Sequence, residues 1–174
     1  MGRAPRSRGA QKTRAGESPG APPSAVELGI RYVARRRRFE GEVREHLRKK
    51  RVPSAEIERG IERLRELGYV GDGETCRAWI RDRLRFAPRG RTLLRSELIR
   101  KGVGAALVDE TLAELMSPED EVAVALDVLQ RSARRRSERE DDVMRRRLWA
   151  ALGRRGFPAD VCREALRRFL GDDV

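Results

Sequence analysis

From Ala25 onward the apolar positions recur three and four residues apart, the period of helices that bury one face, and no stretch alternates with the two-residue period of a strand. The pattern runs through the chain three times. A first helix carries a small residue and then two adjacent apolar ones: Gly29-x-x-Tyr32-Val33, Cys76-x-x-Trp79-Ile80 and Ala125-x-x-Val128-Leu129. A second carries a pair four apart: Val43 and Leu47, Leu94 and Leu98, Leu148 and Leu152. A third carries a longer stripe: Ile57, Ile61 and Leu64; Val108, Leu112 and Leu115; Cys162, Leu166 and Phe169. Each set lies on one helix face.

The punctuation between these helices repeats as well. Leu47-Arg48-Lys49-Lys50-Arg51-Val52-Pro53 returns as Leu98-Ile99-Arg100-Lys101-Gly102-Val103-Gly104 and as Leu152-Gly153-Arg154-Arg155-Gly156-Phe157-Pro158, after 51 and then 54 residues. Each copy reads as a helix end with basic residues in the last turn, then an apolar residue and a breaker. Gly102 and Gly156 stand where a left-handed residue would close the second helix. Arg51 takes that place in the first copy, which predicts a looser stop. Ser54 is the expected N-cap of the helix after Pro53. Ser117-Pro118 opens the last unit, and Glu119, Asp120 and Glu121 suit the positive end of that helix.

The fold expected is therefore all-α: three tandem three-helix repeats over 25–72, 73–117 and 118–174, stacked into an elongated, curved molecule. Residues 1–24 hold four of the eight prolines and five basic side chains, which predicts a disordered basic tail.

Charge changes the picture more than composition does. The 174 residues include 40 basic and 28 acidic side chains, a net charge of +12. Only four of the basic residues are Lys and Asn is absent, a bias that a GC-rich coding sequence produces, so the sign of the charge says more than the choice of arginine. By segment the sum is +4 for 1–25, +4 for 26–72, +3 for 73–117 and +1 for 118–174. A basic excess draws a protein toward nucleic acid or another acidic polymer. No apolar run is long enough to span a membrane, and no apolar core of a secretory signal follows the basic N-terminus, so a cytoplasmic setting is expected.

Catalytic chemistry is absent from the sequence. There is no P-loop, GxSxG, HExxH or Gly-rich dinucleotide fingerprint, and the chain reads as a non-enzyme with no cofactor or metal. His46 stands alone. Cys76 and Cys162 form no CxxC pair and are expected as reduced core thiols.

Three basic clusters remain. Arg35-Arg36-Arg37-Arg38 closes the first helix, where cations are favourable in their own right. Arg77, Arg81, Arg83 and Arg85 lead into the Pro88-Arg89-Gly90 turn and on to Arg91, Arg95, Arg100 and Lys101; this second cluster is the best anion-contact candidate, with Arg35–Arg38 secondary. Arg134-Arg135-Arg136 looks like a solvated loop. No aromatic stacking platform interleaves with the second cluster, and Trp79 and Trp149 are both expected in the core. Charge runs are commonly solvated faces, so a phosphate contact, an acidic protein contact and plain solvation stay open here.

Ile61-Glu62-Arg63-Leu64-Arg65-Glu66-Leu67-Gly68-Tyr69-Val70, Arg77-Ala78-Trp79-Ile80-Arg81-Asp82-Arg83, Pro88-Arg89-Gly90 and Leu98-Ile99-Arg100-Lys101-Gly102-Val103, in this order, resemble the RecX family, regulators of the RecA recombinase. The likeness covers about residues 27–170 and includes Arg145-x-Arg147-Leu148 and Leu152-x-Arg154-Arg155-Gly156-Phe157. Gly71, Thr75 and Arg51 depart from the family pattern. A monomer is the default for a repeat array of this kind. The resemblance implies binding to the RecA filament and DNA, single-stranded and as a further candidate double-stranded, with inhibition of ATPase, strand exchange and coprotease activity. On this view units one and two supply the basic contacts, with Arg81, Arg83, Arg89 and Arg91 central, and the nearly neutral unit three meets the recombinase. A general DNA-binding module and a protein–protein scaffold are the alternatives.

Overall fold

The structure, a computed structural model, describes residues 23–133 and 141–171. The tail expected over 1–24 lies outside these residues except for Pro23 and Ser24, as do the Arg134-Arg135-Arg136 cluster and Asp172-Asp173. The described chain is helical, without strands, and its nine helices fall into three units. Unit one holds α1 (Ala25–Val33), α2 (Glu40–Lys49) and α3 (Ser54–Glu66). Unit two holds α4 (Asp72–Phe86), α5 (Arg91–Arg100) and α6 (Ala105–Leu115). Unit three holds α7 (Pro118–Ala133), α8 (Asp141–Gly153) and α9 (Ala159–Leu170).

Each unit closes its own core. Val43, Leu47, Ile57, Ile61 and Leu64 meet in unit one, Cys76, Ile80, Leu94, Leu98, Val108 and Leu112 in unit two, and Ala125, Leu129, Leu148, Leu152, Cys162 and Leu166 in unit three. These are the positions of the sequence stripes. Both cysteines are free and buried, and burial is the main cause that raises their thiols above the ordinary value. Trp79 packs against the core of unit two, but Trp149 is 41% exposed. Leu148 takes the inward position on α8, and the next residue on a helix points about 100° away.

The repeated phrase is a Schellman motif in all three copies. The N–H groups of Val52, Val103 and Phe157 donate to the carbonyls of Leu47, Leu98 and Leu152 at 3.2, 3.2 and 3.3 Å, and the same residues pair as apolar contacts. Arg51, Gly102 and Gly156 sit at φ 60°, 86° and 77°. The Arg51 stop is not looser: its N–H reaches the Arg48 carbonyl at 2.8 Å, against 2.9 Å from Gly102 to Ile99. The Ser54 expectation needs correction too. Pro53 is the N-cap of α3, with no side-chain bond, and its carbonyl accepts from Glu56 and Ile57 at 3.0 Å while Ser54 is the first helical residue. Ser24 and Ser117 do cap their helices, each in a reciprocal pair, with Glu27 and Asp120.

Successive units join by one device used twice. The start of the second helix in one unit abuts the end of the second helix in the next. Phe39, just before α2, is buried in the core of unit two, and Gly41 lies against Lys101 and Gly102. At the other junction, just before α5, Gly90 lies against Gly156, donating to the Arg155 carbonyl at 2.9 Å, while Thr92 donates to that of Gly156 at 3.2 Å. A carboxylate from the first helix of the following unit then accepts the first helical N–H: Asp72 from Glu40 at 2.9 Å, Glu121 from Arg91 at 2.7 Å. Negative charge at the positive end of a helix is favourable, more so when sheltered from water.

Candidate nucleic-acid interface

The α4–α5 turn, Pro88-Arg89-Gly90, is pinned by the second junction, and this fixes where Arg89 stands. Its guanidinium pairs with Glu97 of α5. Arg83 reaches the other oxygen of the same carboxylate at 3.5 Å while lying over the Trp79 ring, 4.8 Å from its centroid. Arg100 and Lys101 border the same hollow. One carboxylate thus stands among four cations. Burial, and then the fields of Arg83, Arg100 and Arg155, hold Arg89 below the ordinary guanidinium value. Like charges gathered this closely repel one another, and an added anion would relieve that repulsion.

Arg89 also lines a cleft between units two and three. The end of α4 and the turn form one wall; α7 and α8 form the other. Among the described residues, six arginines line it, Arg89, Arg131, Arg146, Arg147, Arg154 and Arg155, and no acidic one does. Arg131 pairs with Asp127 at 2.8 Å, and Arg155 donates to the Ala151 carbonyl at 3.2 Å. Among the described residues, Arg146, Arg147 and Arg154 are exposed and have no acidic partner. Arg147, on α8, and Arg154, in the turn directly after its last residue, are seven apart, about two helical turns along one side.

The remaining candidates of the second cluster divide by what they touch. Arg77 is held by Glu114 at 2.9 Å and Glu74 at 3.1 Å, and Arg95 by Asp109 at 2.7 Å. Arg91 donates to Glu121 and, at 2.5 Å, to the Met116 carbonyl, and Lys101 pairs with Glu42 at 3.1 Å; both therefore brace junctions. Arg100 donates to the Ser96 carbonyl at 3.3 Å. Arg81 is exposed, and Arg85 lies over Phe86, 5.0 Å from the ring centroid. In the secondary cluster Arg35, Arg36 and Arg37 are exposed in the connection after α1. Arg38 turns back over Tyr32 at 4.3 Å, a ring that also stacks on His46 at 4.0 Å. Burial, with Lys50, Arg38 and Lys49 nearby, holds His46 below its ordinary value, so it is neutral at pH 7.

Two features escaped the sequence reading. The near-zero sum over unit three hides its asymmetry, because four of the cleft arginines sit on α8 and its C-terminal turn while Glu119, Asp120 and Glu164 lie elsewhere. The two-turn spacing of Arg147 and Arg154 was the available signal. The second is Phe86, 70% exposed at the cleft wall, an aromatic ring inside the basic cluster.

Comparison with known proteins bears on all three units. The first, second and third three-helix domains of RecX match residues 25–64, 72–112 and 119–166. The chain is 31% identical over 159 residues to the regulatory protein RecX of Streptomyces coelicolor, covering 91% of this chain and 84% of that one. It is 32% identical over 137 residues to that of Geobacillus kaustophilus, covering 79% of this chain, and it spans about half (51%) of that relative's length. The crystal structure of RecX from Lactobacillus salivarius superposes with a TM-score of 0.75 at 18% identity, over 83% of this chain and 94% of that one, which shows a shared fold.

Proposed function

The chain belongs to the RecX family of regulatory proteins, and from that premise we propose that it binds along the RecA–DNA filament and lowers its ATPase, strand-exchange and coprotease activities in the cytoplasm. The observation that carries the reading is the cleft between units two and three, which among the described residues gathers six arginines and no acid, on a chain of units joined end to end. We assign the basic contact surface to Arg83, Arg89 and Arg100 of unit two with Arg146, Arg147, Arg154 and Arg155 of unit three, and to Arg81 and Arg85 as its extension. Arg77, Arg91, Arg95 and Lys101 act from behind, by holding helices and junctions in place. Phosphate neutralisation by such a surface is independent of sequence and weakens steeply with salt. A partner that is long and polyanionic fits repeated units better than a small ligand does.

The test is the single-strand-dependent ATPase of the cognate recombinase, titrated with this protein and with a mixed-sequence DNA competitor as control. The reading expects loss of activity at protein levels well below the number of DNA sites. Loss only at DNA saturation would make the protein a simple competitor for the strand. An ATPase that does not change would remove the filament from the account.

A further inference from the structure

We infer that Phe86 is a base-stacking residue that makes the cleft between units two and three select single-stranded nucleic acid over duplex. The inference rests on the nucleic-acid reading above and adds which form of the polymer the cleft takes and by which side chain.

Phe86 ends α4, whose inward face runs through Cys76, Ile80 and Leu84 at four-residue spacing. Phe86 is two residues beyond Leu84, about 200° around the helix, so the helical period itself turns the ring outward. It is the most exposed large apolar side chain among the described residues, at 70% against 48% for Tyr69 and 41% for Trp149. Single exposed apolar residues are ordinary on a protein surface. This one lines the wall of a cleft whose described residues include six arginines and no carboxylate, which favours an anionic polymer. Arg85 lies over one face of the ring, 5.0 Å from its centroid, so a cation already stands against the ring and a base would stack on the face opposite.

Such an arrangement matches the two parts of a single strand. Phosphates meet Arg146, Arg147 and Arg154, which no acid occupies, and an unpaired base stacks on Phe86 without regard to its identity. In a duplex the base faces are covered by their neighbours, so the ring would find nothing to stack on. An acidic peptide satisfies the arginines but leaves the ring without a planar partner.

The experiment compares three probes of equal length at fixed salt with the full chain: oligothymidylate, the same strand with abasic sites throughout, and a duplex. The unaltered chain should prefer oligothymidylate over the abasic strand by about tenfold. Phe86→Ala and Phe86→Leu should lose that preference and keep their affinity for the abasic strand and the duplex. Phe86→Trp should keep it, with indole fluorescence quenched by oligothymidylate and not by the abasic strand. Because the ring is exposed, circular dichroism should show all variants folded. A preference that persists in Phe86→Ala, or equal binding of the two strands by the unaltered chain, would overturn the inference while leaving charge-driven binding intact. Failure to bind any of the three would overturn the nucleic-acid reading with it. Displacement of oligothymidylate by polyglutamate, with oligothymidylate and the abasic strand bound equally, would assign the cleft to an acidic protein segment instead.

Discussion

A methyl group built on Gly90 would lie 2.3 Å from the carbonyl oxygen of Gly156. That distance is a backbone-to-backbone clash across the junction of units two and three, and no side chain can rotate away to relieve it. Gly41 stands in the same relation to the Lys101 carbonyl at the other junction, also at 2.3 Å. Repeats of this kind are held together by nearest-neighbour contacts, so each glycine governs one joint.

Gly90→Ala should therefore part the joint that carries the cleft. The expected cost is about 1–3 kcal/mol, in the range for overpacked sites, read from the urea midpoint. Binding to the filament should fall with it. Gly104→Ala, where a Cβ meets open space, should leave filament binding unchanged and cost stability only as an exchange at the N-cap of α6.

Arg51 keeps a non-glycine residue at φ 60° in a motif where its two counterparts are glycine. A left-handed backbone costs a residue with a Cβ about 1 kcal/mol. Arg51→Gly should stabilise the chain by about that much in thermal unfolding, and Gly102→Ala should destabilise it by more, since its Cβ would also lie 2.8 Å from the Gly41 Cα.

Reversing charge in the cleft tests which arginines meet phosphate. Arg147→Glu and Arg154→Glu should weaken filament binding, and each should reduce the slope of log affinity against log salt by about 1. Arg77→Gln, which loses only the Glu114 and Glu74 pairs, should leave the slope as it is. Equal effects from all three would remove the distinction between contact and bracing residues.

Unit three should be sensitive to acid. Arg167 and Arg168 hold the Glu164 carboxyl at about 2, below its ordinary 4.5, and Arg168 also holds Glu119 down, from α9 to α7 at 2.5 Å. A carboxyl lowered in the folded state adds stability that is complete above its unfolded value and is lost as pH falls through the folded one. The loss should run from about 4.5 down to about 2. Arg168→Gln should flatten the dependence of the urea midpoint on pH in that window, with little change at pH 7 because these groups are exposed.

Much of this architecture was legible in the sequence for a physical reason. Val43 and Leu47, or Ile57, Ile61 and Leu64, fall on one face because the helix period is fixed by backbone geometry, and the repeated helix stop is a local motif whose hydrogen bonds span six residues. Nothing distant is needed to read either. The N-cap at Ser54 and the placement of Trp149 went astray where a neighbouring residue, Pro53 or Leu148, held the stronger claim to the position.

The candidate site divides differently. Arg89 stood out because a Pro-Arg-Gly turn amid basic residues is a local signal. That Arg91 and Lys101 brace junctions, while Arg146, Arg147 and Arg154 face an open cleft, could not be read from charge counts, since a sum over a segment discards direction. Three helical units, their cores and their stops are all set by interactions within a few turns, and so can be read along the chain. Which basic side chains meet Glu97, Glu121 and Glu42, and which meet no acid, follows instead from packing between distant segments, since successive units dock through Phe39, Gly41 and Gly90.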